Sequence, residues 1–240
     1  MIEDIDTPQP FLRVYPPEED VFAAPAERLA RHLRPLVSID LSAVNPDWQG
    51  WIHLVNPFEP ADGMVGQFTQ DHHNDYLREN WVAFRLDSDD RYELMGDLRY
   101  FQLENPADVL PEPYEGQRKR LEDHCAEELA SLVEARERFA RLGVLYTSNR
   151  YACTPRDFTR EAPCNLIDQL GGGVGYGNWS NGFPLDDSDP DDVRPLSPDG
   201  KRFHFIAAVT GWDYCATGAD WILLFYEPDS RVALITFDWT

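Results

Sequence analysis

The chain has 240 residues, 42% hydrophobic and 12% aromatic, which is enough apolar mass for a packed interior. Lys and Arg number 21 against 43 Asp and Glu, a formal net charge of −22, which disfavours nucleic acid and anionic membrane and favours a basic protein partner, unless it serves solubility alone. No apolar run approaches a membrane span, and Met1-Ile-Glu-Asp-Ile-Asp6 lacks the basic and apolar regions of an export signal, so the expected location is the cytoplasm.

Residues up to about Pro17 are rich in proline and acid and read as an extended arm. Pro25 to about Leu36 reads as a short helix, with Ala26, Leu29, Ala30 and Leu33 on one side and Pro35 limiting it. Leu36–Leu41 and Trp51–Val55 read as strands around the turn residues Asn45-Pro46-Asp47 and Gly50. Residues 57–80 are polar and loop-like. Trp81–Leu86 and Arg91–Leu103 then read as strands joined by the acidic turn Asp87-Ser88-Asp89-Asp90, and Pro106, Pro111 and Pro113 close the first half.

From about Tyr114 to Leu142 the residues Leu121, Cys125, Leu129, Leu132, Phe139 and Leu142 recur at helical spacing, and Gly143 is placed to cap the helix. Its charged positions mix both signs, which suits a solvent face rather than a nucleic-acid helix. A short strand near Val144–Tyr146 follows, then an irregular, glycine-rich, acidic stretch from Cys153 to Pro198 in which Asn165–Leu170 looks helical. Phe203–Val209, Trp221–Tyr226 and Val232–Trp239 read as strands, the last two forming a hairpin through Glu227-Pro228-Asp229-Ser230. The expected fold is α+β, with two antiparallel sheets and one long helix at about 114–142. It forms a single acidic domain of 1–240, or two related halves (18–105 and 144–240) joined by the helix.

Two segments look alike. Leu36–Leu41 followed by Trp51-Ile-His-Leu-Val55 parallels Phe205–Val209 followed by Trp221-Ile-Leu-Leu-Phe225, which suggests a degenerate internal duplication. The run Pro35-Leu-Val-Ser-Ile-Asp-Leu-Ser42 with Trp51–Val55 also resembles the first strand pair of the YwqG-like family of bacterial proteins, where F-L-A-Q-I-D-L precedes G-x-L-x-F-F. Leu170-Gly-Gly-Gly173, Phe203-His-Phe-Ile206 and Ile222-Leu-Leu-Phe-Tyr226 are similar to that family's later L-G-G turn and terminal strands. A departure is Val174-Gly-Tyr-Gly-Asn178, where the family has Pro and Gln after the double glycine. The resemblance implies a two-sheet α+β fold. It also implies a link to polymorphic toxin genes, near which relatives are found and immunity roles are proposed; it carries over no catalytic residue.

Candidate chemistry is sparse. His72, His73 and Asp75, in Asp71-His72-His73-Asn74-Asp75, are the densest set of metal ligands, and they define an alternative reading as a metal-dependent or small-ligand enzyme. Asp186-Asp187-Ser188-Asp189-Pro190-Asp191-Asp192 lacks the Gly and Glu of a calcium loop. Gly171-Gly-Gly-Val-Gly-Tyr-Gly177 lacks phosphate-loop spacing and reads as a flexible turn, with Trp179 and Phe183 packing back on the domain. Tyr176, Trp179, Trp212 and Tyr214 form a further candidate binding cluster. Cys125, Cys153, Cys164 and Cys215 show no metal spacing and are expected as reduced thiols. No nucleophile motif is present, so no catalytic residue and no cofactor are assigned. The leading expectation is a cytoplasmic immunity-type protein, an antitoxin that binds a basic toxin such as a nuclease through Asp87, Asp89 and Asp90 and through Asp186, Asp187, Asp189, Asp191 and Asp192.

Overall fold

A computed structural model describes residues 1–60, 63–105, 117–146, 163–215 and 218–239. The prolines at 106, 111 and 113, the first turn expected at Tyr114 and Cys153 lie outside the described residues. The fold is mixed α+β, with antiparallel sheets and one long helix. Strands β1 (Ile2–Ile5), β2 (Leu12–Val14), β3 (Leu33–Asp40), β4 (Trp51–Pro57), β5 (Trp81–Leu86) and β6 (Tyr92–Leu94) precede the long helix. Strands β7 (Ile167–Leu170), β8 (Leu185–Asp186), β9 (Arg194–Pro195), β10 (His204–Val209), β11 (Trp221–Glu227) and β12 (Val232–Asp238) follow it. A seven-stranded sheet runs in the order β1-β7-β10-β11-β12-β5-β6, a three-stranded sheet in the order β2-β3-β4, and β8-β9 form a small ribbon. Helices α1 (Glu18–Val21), α2 (Glu27–Ala30) and α4 (Gly211–Tyr214) are single turns, and α3 spans Gln117–Leu142.

The central strands of the large sheet are apolar on both faces, and both faces are buried. Ile222 and Leu224 of β11 and Ala233, Ile235 and Phe237 of β12 enter one core with Leu36, Val37 and Ile39 of β3 and Ile52 and Leu54 of β4. Leu223, Phe225 and Leu234 enter a second core with Val174, Trp179, Phe183, Val193 and Phe203. The alternation of period two sends successive side chains to opposite covers. One cover is the three-stranded sheet. The other is the glycine-rich acidic stretch, which is therefore a packed layer and not the flexible turn its composition suggests. Trp179 and Phe183 do pack back, against Trp81 with ring centroids 6.0 and 4.7 Å apart.

Other expectations are corrected. The N-terminal arm contributes β1, paired with β7, and β2, paired with β3. The helix expected over 25–36 is one turn, because Leu33, Arg34 and Pro35 belong to β3 and pair with β4. Pro35 is accommodated beside a β-bulge, where the register shifts between Pro35 and Val37. The strand expected over 91–103 stops at Leu94, and Asp97 caps a 3-10 turn at Leu98–Tyr100 by accepting the Arg99 N–H. Asn165–Leu170 holds strand β7 rather than a helix, and 144–146 contributes only a bridge from Leu145 to Cys164. Trp179 and Tyr214 sit in different cores, so the four-aromatic cluster does not form.

Helix α3 ends at Gly143, whose positive φ of 70° and N–H bond to Phe139 O (2.7 Å) make a left-handed cap. Its buried face is Leu121, Glu128, Leu132 and Ala135, whereas Leu129 and Leu142 are half exposed. The surprise is Glu128, which lies 2.5 Å from the equally buried Arg34 of β3. Arg34 also donates to Pro57 O at 2.8 Å, so one guanidinium ties the helix to both strands of a hairpin.

The hairpins β3–β4 and β10–β11 match in register. Ile52, Leu54 and Val55 face Ile39, Val37 and Pro35; Ile222, Leu224 and Phe225 face Val209, Ala207 and Phe205. In each the bulged residue, Leu36 or Ile206, accepts a 2.7 Å bond from a residue with positive φ that follows the neighbouring strand, Tyr15 or Gly171. Residues 34–39 and 52–56 thus match 204–209 and 222–226 in register.

Removing the carboxylate partner of Arg34 by Glu128→Ala is expected to cost about 3–5 kcal/mol of stability, and the double variant Arg34→Met, Glu128→Leu to recover most of it. Urea unfolding midpoints of the three proteins measure this.

Candidate functional site at the acidic end of the large sheet

The β5–β6 turn is built by its own aspartates. Asp87 Oδ1 accepts the N–H groups of Asp89 (2.8 Å) and Arg91 (2.9 Å), and its Oδ2 accepts Arg91 Nε–H at 3.0 Å. Partial burial works against this charge, but the bonds from Arg91 and Asp89 outweigh it and hold the carboxyl below its usual range. Asp90 reaches two other segments: Oδ2 accepts the Trp51 N–H at 2.9 Å, and Oδ1 pairs with Arg231 Nη2 at 2.7 Å. This approach requires glycine at position 50, where φ is +96° and a Cβ would strike the Asp90 carboxylate.

The Asp90 carbonyl accepts from His53 Nε2 at 3.0 Å, and Ser38 Oγ lies 2.7 Å from His53 Nδ1. A carbonyl can only accept, so Nε2 carries the proton and Nδ1 receives the Ser38 hydroxyl. The Ser–His pair is fully enclosed and ties β3, β4 and the turn together; it is no nucleophile. Burial lowers the His53 pKa to about 4 despite the Asp90 carbonyl.

In the second acidic loop, Asp186 Oδ1 accepts from Ser188 N–H (3.1 Å) and Ser188 Oγ–H (2.7 Å), and its Oδ2 pairs with Arg202 Nε at 3.0 Å. Asp192 pairs with Arg194 and with Arg202, the latter at 3.7 Å. Asp189 accepts the Asp191 N–H at 3.0 Å, and Asp187 accepts the Tyr176 hydroxyl at 2.6 Å.

Both loops come to one end of the large sheet. The register pairs His204 with Tyr226. The fields of Arg194, Arg202 and Asp192 act on His204, and those of Arg231 and Asp90 act on Tyr226. Between the loops Trp48 packs edge-on against His204 (5.1 Å) and Tyr226 (5.7 Å). The expected contact residues thus divide. Asp87, Asp90, Asp186 and Asp192 are engaged in holding the turns, and Asp89 is 68% exposed but paired with Arg91 at 2.8 Å. Asp187, Asp189 and Asp191 are exposed and have no cationic partner among the described residues. Trp48, Tyr226, Arg202 and Arg231 were missed by sequence reasoning, which considered His204 only as a residue that could complete a metal site with His72 and His73. Only the repeated Asp-x-Asp and Asp-x-Ser steps, which favour turn-closing side-chain bonds, hinted that these loops are ordered.

The His72, His73 and Asp75 cluster is not brought together. His73 turns its Nε2 to Gly66 O at 2.8 Å, and Asp75 faces solvent. Among the described residues no three His, Cys, Asp or Glu side chains are placed to hold a metal. Cys125, Cys164 and Cys215, among the described residues, form no disulfide with one another. Among the described residues no helix is long and apolar enough to cross a membrane.

Comparison with family models, with curated proteins and with solved structures finds no match to this chain.

With its folded pKa near 4 against 6.5 when exposed, His53 takes up its proton more readily in the unfolded chain. The unfolded state therefore binds more protons in this window, and stability falls as pH drops from about 6.5 to about 4. His32, also lowered to about 4, mainly by burial, adds a loss of the same sign. Urea midpoints across this range should decline for the native sequence and decline less for His53→Gln; equal slopes would remove His53 from the account.

Proposed function

We propose that this protein is a stoichiometric binder of a basic protein, of the immunity type that neutralises a toxic effector such as a nuclease in the cytoplasm. The observation that supports the reading is the convergence of two separate acidic loops around one aromatic cluster at a single end of the sheet. Asp187, Asp189 and Asp191 supply carboxylates that attract a basic surface over a Debye length, while Trp48 beside Tyr226 supplies an apolar anchor between them. The turns are stapled by their own Asp87, Asp90, Asp186 and Asp192, so little ordering cost remains on binding. A basic cleft built to hold phosphates is a fitting counterpart. Kinship with the YwqG-like family belongs to the same proposal. So does descent of the two hairpins from one duplicated unit, which the matching bulges and register support.

The test is co-expression with the toxic product of an adjacent gene, followed by association kinetics. The native protein should restore growth, and its association rate should fall steeply with salt. Asp189→Lys with Asp191→Lys should slow association about tenfold and leave dissociation nearly unchanged, whereas Trp48→Ala should chiefly speed dissociation. An association rate indifferent to salt and to the Lys substitutions would overturn the proposal.

A further inference from the structure

We draw no further inference here: the strongest candidate, the cleft lined by Arg34, Asn56, Phe58 and Gly218 at the end of β4 away from the acidic loops, borders residues outside those described, so nothing in the structure shows what covers it or which charge it presents.

Discussion

Burial of both faces of β10, β11 and β12 is the constraint on which the architecture depends. These strands have no face that tolerates water, since Ile222 and Leu224 point one way and Leu223 and Phe225 the other. The chain must therefore supply two covers from outside the central hairpin. The β2-β3-β4 sheet is the first, and the stretch from Val174 to Phe203 is the second. Each cover brings polar connections to the ends of the sheet, and the two surfaces with functional potential lie at those ends. At one end the covers bring acidic loops around Trp48. At the other they leave a cleft lined by Arg34, Asn56, Phe58 and Gly218.

Charge is handled differently at the surface and inside. On the surface many carboxylates close turns: Asp87, Asp186 and Asp189 each accept backbone N–H groups within their own loop. Such bonds hold a loop whatever its net charge, so a chain at −22 can be acidic in its loops without losing order there. Inside, ionised groups come with specific partners. Glu128 meets Arg34, and Glu59 meets two backbone N–H groups. His53 avoids the problem by staying neutral between Ser38 and the Asp90 carbonyl.

Much of the strand pattern was legible because it depends on local periodicity. Trp81–Leu86, Trp221–Tyr226 and the terminal hairpin read correctly, since apolar runs bounded by turn residues have few other solutions. The long helix and its Gly143 cap were legible for the same reason. The failures share a cause as well. Helical spacing assigned Leu129 to the buried stripe of α3, but the face that docks is centred on Glu128, which composition alone places in solvent. The stretch 171–203 reads as flexible because its glycines and aspartates are turn formers. Its four buried apolar side chains before Phe203 are too widely spaced to form a periodic signal.

The sequence by itself determined the charge, the antiparallel α+β character and the position of the acidic turns, because each follows from composition or from contacts between near neighbours. It also carried the matching Trp-led strands. Only the tertiary structure decided which aspartates keep their charge available. Arg202 and Arg231 arrive from distant parts of the chain, and no local spacing predicts whom they meet. It also decided that Trp48 packs against His204 and Tyr226, because that contact exists only when two hairpins far apart in sequence are placed face to face.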